Sequence, residues 1–177
     1  MKLLFRAATA VLFLITVSSS VFAQDDARFG LVMATPSSVS IIWHASGTVA
    51  LRPEIGIAAG SSTFESPVGE AESTQWTISP GFSVLFYVGQ RDALRTYVSP
   101  RYVYSRAHNE STSPLGETAE STGTSHSVSG SFGAEYALHR RFAVFGELGI
   151  NYTHADAEQF SSNGWNQRTA VGAILYF

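Results

Sequence analysis

The chain has no cysteine and a single lysine, Lys2, and only 14% of its 177 residues are charged. Without cysteine no disulfide can staple it, so stability has to come from packing and backbone pairing. The shortage of cations argues against nucleic acid as a partner, since a binder of that kind carries a basic face. After residue 23 no apolar run approaches the roughly 18 residues that a membrane-crossing helix needs, which excludes helical spans.

What is present begins with Lys2 and Arg6, an apolar run from Ala7 to Val17, and small residues closing on Val21-Phe22-Ala23. This order reads as a secretory signal peptide over residues 1–23, cleaved after Ala23 and too short to span a bilayer. Residues 24–177 then make one domain, with nine arginines against 14 acids.

Alternation dominates that domain. From Phe142 the even positions read Phe142, Val144, Gly146, Leu148, Ile150 and Tyr152, while the odd ones read Ala143, Phe145, Glu147, Gly149, Asn151 and Thr153. A period of two with one apolar face is the pattern of a strand. The same test predicts strands over 28–35, 38–46, 48–60, 74–88, 95–108, 124–138 and 164–177, eight in all with 142–153. Tight turns are expected near Ser46-Gly47, Gly89 to Ala93 and His139-Arg140, and also at Pro36-Ser37. Long polar segments at 61–73, 109–123 and 155–163 are expected to be mobile loops, because their Ser, Thr, Gly and Glu cannot bury enough surface to fold alone.

Eight long strands with short turns at one end and longer connections at the other predict an all-β fold, an eight-stranded antiparallel up-and-down transmembrane β-barrel. Alternation alone also fits a soluble barrel with its apolar side inward. The side opposite the large apolar residues carries glycine and serine, interrupted by Arg52, Glu54, Arg101, Glu135, Glu147 and Arg168. In a narrow lumen these three arginines and three glutamates are expected to pair as an ionic ladder, because an unpaired buried charge is costly. Trp43, Trp76, Trp165, Tyr102, Tyr104, Tyr152 and Phe177 suit interfacial girdles.

The last strand places Val171, Ala173, Leu175 and Phe177 on one face. With the signal segment and the eight strands, this ending resembles the bacterial outer-membrane β-barrel proteins, of the small OmpA transmembrane-domain and OmpX type. The stretch Leu51-Arg52-Pro53-Glu54-Ile55-Gly56 is similar to theirs in putting Arg and Glu inward on one strand, and the very short first loop is a departure. The resemblance implies a monomer in the cell outer membrane, exported through the cleaved signal. Its partners would be outer-membrane lipids, with periplasmic chaperones and the barrel-assembly machinery reading Val171, Ala173, Leu175 and Phe177. It also implies an envelope-structural or surface role, on a fold shared by adhesins, structural proteins and enzymes.

No catalytic or cofactor-binding set is predicted. Barrel-borne lipid A deacylases carry His and Ser two residues apart on the outward face, whereas here Val128 stands two residues beyond His126. Ser125, Ser127 and Ser129 fall on other faces, so no nucleophile has a base within reach. His108, His126 and His154 lie near the outer ends of three consecutive strands, with Glu110, Asp156 and Glu158 nearby, and are read as solvated edge residues because no short ligand spacing fixes a metal geometry. Acids crowd the outer connections at Glu65, Glu70, Glu72, Glu110, Glu117, Glu120, Asp156 and Glu158, while Arg91, Arg95, Arg140 and Arg141 sit at the inner turns. The expected function is therefore a non-enzymatic barrel presenting mobile acidic loops. A small channel and a lipid-acting barrel enzyme are the alternatives, with a soluble periplasmic ligand-binding barrel behind them.

Overall fold

The computed structural model describes residues 29–35, 38–66, 69–113, 117–157 and 160–177. The signal segment, the turn at Pro36-Ser37 and Glu158 lie outside them. Eight strands, β1 (Phe29–Thr35), β2 (Ser38–His44), β3 (Val49–Ser66), β4 (Gly69–Arg91), β5 (Leu94–Thr112), β6 (Thr118–His139), β7 (Phe142–Ala157) and β8 (Phe160–Tyr176), pair antiparallel in sequence order. The sheet closes through β1 and β8, from Gly30 opposite Tyr176 to Thr35 opposite Val171. At the end of the chain the Phe177 amide donates to the Phe29 carbonyl at 3.0 Å.

The inner turns are tight. Asp92, in the two-residue β4–β5 turn, has φ 52°, a left-handed conformation that Asp tolerates better than most side chains. Register shifts at Tyr87/Gly89 and Ala137/His139 place irregularities at the same rim, where bulges end or re-aim strands.

The outer ends differ from the sequence expectation. β3 and β4 remain paired out to Ser66 opposite Gly69, β5 and β6 to Thr112 opposite Thr118, and β7 and β8 to Ala157 opposite Phe160. The polar segments expected as mobile loops are thus mostly β-ribbon. Lack of apolar surface does not prevent this, because a hairpin ladder satisfies the backbone in both strands and adds short cross-strand bonds such as Ser73 to Asn109 at 3.1 Å.

Side chains follow the pleat. Outward stand Ile55, Ile57, Ile78, Phe82, Val98, Tyr102, Val128, Phe132, Leu148, Ile150, Val171 and Leu175, all exposed. So broad an apolar band exceeds what a water-facing monomer carries. On four strands, bulky apolar or aromatic residues ten positions apart bracket the band: Trp76 and Phe86, Leu94 and Tyr104, Phe142 and Tyr152, Trp165 and Leu175. At about 3.3 Å per residue and a tilt of ~40° this spacing spans about 25 Å, the height of a lipid-facing barrel belt.

Inward, Val32, Ile42, Ala50, Leu85, Tyr97, Ala143, Phe145 and Ile174 form a buried apolar cluster across the lower lumen. Glycines make room where rings cross it. A Cβ on Gly133 would overlap the Tyr97 ring, and one on Gly172 the Phe145 ring. Gly133→Ala is therefore expected to destabilise the barrel by about 1–3 kcal/mol, as overpacking does. The outward Gly130→Ala, with open space at its Cβ, should change stability little; urea unfolding followed by heat-modifiable gel migration measures both.

Candidate functional site

The pleat turns alternate residues of four strands toward one another above the apolar cluster. β3 supplies Arg52 and Glu54, β5 Arg101, β7 Glu147 and β8 Arg168. Glu147 is the centre, its side chain fully buried. Oε1 accepts from Arg52 Nη2 at 2.6 Å and from the Tyr97 hydroxyl at 3.0 Å, and Oε2 from Arg168 Nη1 at 2.5 Å. Arg52 also donates through Nε to Ser83 Oγ at 3.0 Å, and its guanidinium lies 5.5 Å from the centre of the Phe145 ring. Arg168 Nη1 reaches Ser131 Oγ at 3.0 Å. Charge-assisted bonds of this kind are the strong ones, and a carboxylate buried inside the barrel requires them.

The second ion pair joins Arg101 Nε to Glu54 Oε1. Arg101 and Arg168 are the accessible members, with side chains 19% and 14% exposed against 4% for Arg52. Both line a cavity of about 610 Å³ that occupies the upper lumen.

Glu135 departs from the expected ladder. It takes no arginine of the predicted set; instead Oε2 accepts from the Tyr87 hydroxyl and Oε1 from the Tyr176 hydroxyl, each at 2.8 Å. His44 joins this lower layer, 3.3 Å from the Tyr176 oxygen and stacked on Tyr87, and Arg95 lies 3.6 Å from the centre of the Tyr87 ring. The sequence reading missed Tyr87, Tyr97, His44 and Arg95 as lumen groups. Their inward parity follows from the alternation, but the charge pattern alone singles out only arginine and glutamate as lumen partners. Two layers with an apolar cluster between them thus replace one ladder.

The outer histidines face away from the lumen. His126 stands directly opposite Tyr104 on β5 and His154 on β7, and its Nδ1 is 2.7 Å from the Tyr102 hydroxyl. His108 packs against Trp76 with ring centres 5.8 Å apart, and His154 pairs with Asp156 at 3.2 Å. Among the described residues no group of three or more His, Cys, Asp or Glu is placed to hold a metal ion. Ser127 is engaged with Thr153 at 2.9 Å, on the opposite side of the wall from His126. These histidines belong to an aromatic belt with Trp76, Tyr102, Tyr104, Tyr152 and Trp165.

Arg52→Leu is expected to lower stability by about 3–5 kcal/mol, because Glu147 loses its most deeply buried cation. Adding Glu147→Leu should recover much of that loss, since an apolar pair of similar volume needs no compensation. Urea midpoints of the single and double variants measure the difference.

No family model and no curated protein matches this sequence. Solved structures do. A major outer membrane protein from Thermus thermophilus aligns over 84% of this chain and 98% of its own, with TM-score 0.61 and 12% identity. Neisserial surface protein A covers 84% and 93%, with TM-score 0.53 and 14% identity. Ail, the attachment invasion locus protein of Yersinia pestis, solved with the heparin analogue sucrose octasulfate, covers 84% and 94%, with TM-score 0.50 and 12% identity. At such identities the likeness is one of architecture, and with the closed ring of eight strands it assigns this chain the fold of the small eight-stranded outer-membrane β-barrel proteins.

Proposed function

We propose that the protein is a non-enzymatic outer-membrane barrel that is closed to solutes and acts through its anchored wall and its outer hairpins. The observation that carries this reading is the combination of a wide lipid-facing apolar band outside and a side-chain-filled lower lumen inside. Eight strands leave a lumen just wide enough for side chains to fill. Here Tyr97, Phe145, Leu85 and Ile174 fill it as an apolar layer, with the Glu147 network above and Glu135, Tyr87 and Tyr176 below. A continuous water path would have to cross all three.

Export through residues 1–23 and recognition of Val171, Ala173, Leu175 and Phe177 by the assembly machinery belong to the same proposal. Val171, Leu175 and Phe177 are exposed on the outer face of the closing strand, where a partner can reach them before or during closure. Above the aromatic belt, the hairpins present Glu65 opposite Glu70 and Glu110 opposite Glu120. Such acidic ribbons repel polyanions, so a sulfated ligand like that of the Yersinia pestis neighbour does not suit them; cationic or cation-bridged surfaces do. They are paired β-ribbons where composition suggests loops.

Two measurements test the reading. Cell fractionation with heat-modifiable migration should place a folded barrel in the outer membrane, and Phe177→Ser should reduce the folded fraction several-fold at equal expression. In planar bilayers, wild type and Arg101→Ala should both show no steady openings, because the apolar layer remains. Tyr97→Ala combined with Phe145→Ala should open a path. Steady conductance of the wild type would favour the channel instead.

A further inference from the structure

The first hairpin is too short to complete the wall. β1 and β2 have seven residues each, whereas the other strands have 16 to 23, and only two residues join Thr35 to Ser38. β2 pairs with β3 no further out than Gly56, and β1 with β8 no further out than Val171. Among the described residues, β3 beyond Gly56 and β8 before Val171 thus have no neighbouring strand on the sides that face each other. Above the hairpin a notch separates them, three inter-strand spacings or about 14 Å wide.

The notch reaches into the lipid band. Ala59 of β3 stands opposite Trp76 of the outer aromatic belt, and Trp165 marks that belt on β8. Its floor therefore lies three residues below the belt on β3 and six below it on β8, about 8–15 Å along the barrel axis.

The lumen cavity passes through this gap. Nearly all its lining comes from inward positions, but Thr35, Ile57, Gln167 and Thr169 have outward parity and line it too. All four lie on β1, β3 and β8 at the notch. Free strand edges at such depth carry unpaired backbone groups that hydrocarbon cannot satisfy, so this sector requires water or a ligand with polar atoms.

The charges name the ligand's head. Arg52, Arg101 and Arg168 face Glu54 and Glu147 in the cavity wall, an excess of one cation. Arg101 lines the cavity and is held to Glu54 through Nε, not through its terminal nitrogens. Entry of a free anion from outside is opposed by the acids of the hairpins above. Entry from the membrane is not, and beside the outward Thr35, Gln167 and Thr169 the outer face at the notch carries exposed apolar side chains, Met33, Val39, Ile57 and Val171.

We propose that the notch is a lateral portal through which the cavity binds a single-chain amphiphile with an anionic head, carboxylate or phosphate. The head is held by Arg101 and Arg168, and the chain leaves between β3 and β8 over Ile57 into the outer leaflet. This rests on the membrane placement proposed above, and heat-modifiable migration of each sample reports that placement separately.

Native mass spectrometry of the barrel released from a neutral detergent tests it, with oleate, oleoyl lysophosphatidate, methyl oleate and acetate as probes. Saturable one-to-one binding of oleate or the lysophosphatidate is expected, and whichever binds more tightly identifies the head. Methyl oleate, with the chain but no charge, and acetate, with the charge but no chain, should each bind at least tenfold more weakly. The paired variant Arg101→Gln with Glu54→Gln removes the cation without leaving a lone carboxylate, and Ala58→Trp fills the cavity behind the notch. Each should weaken binding at least tenfold, while Gly130→Ala on another strand should not. Equal binding of methyl oleate, equal binding of acetate, or undiminished binding in both folded variants would overturn the proposal. Loss of heat-modifiable migration in the wild type would count against the membrane reading instead.

Discussion

In hydrocarbon a backbone amide or carbonyl has no water to turn to, so a sheet that crosses a membrane has to pair every strand on both sides and close on itself. In this protein the constraint is met through β1 and β8, ending with the Phe177 amide on the Phe29 carbonyl. Closure at eight strands sets the lumen width, and that width makes side chains from opposite walls meet. Glu147 on β7 can therefore collect Arg52 from β3, Tyr97 from β5 and Arg168 from β8. Gly133 and Gly172 stand directly opposite Tyr97 and Phe145 on adjacent strands, where each ring lies over the glycine and leaves no space for a Cβ.

The interior is stratified because its two ends face different demands. At the inner rim Tyr87 and Tyr176 donate their hydroxyls to Glu135, with His44 against Tyr176 and Arg95 over the Tyr87 ring. The apolar cluster follows, then the arginine-rich level that opens into the cavity. Each buried carboxylate is satisfied by donors from other strands, so these layers tie distant parts of the ring together. Among the described residues the pairing rule is relaxed above the short first hairpin, and there the cavity meets the outer face. Structure and proposed chemistry thus have one origin, the difference in length between β1–β2 and the other hairpins.

Much of this was legible in the sequence. The period of two along Phe142 to Thr153, and its recurrence in seven other segments, specified strands and their two faces without any tertiary information. Composition misled at the outer ends: Ser and Thr around 61–73 and 109–123 suggested loops, yet a hairpin ladder extends without burial once its first pairs are set. It misled again at Glu135, where counting three arginines against three glutamates overlooked tyrosine hydroxyls as equally serviceable donors. The sequence places His108, His126 and His154 near the outer ends of their strands, but only the register shows that His126 faces Tyr104 and His154 while His108 faces Trp76.

By itself the sequence determined the alternation, the number of strands, the short inner turns and the shortness of the first hairpin, because each is a local property of consecutive residues. Only the tertiary structure decided which charges meet, how far each hairpin runs and that the wall has a gap. Those outcomes depend on stagger around a closed ring. A shift of register on β6 or β8 would bring a different residue opposite Glu147, and the notch exists only because β3 and β8, far apart in the chain, are brought to either side of β1 and β2.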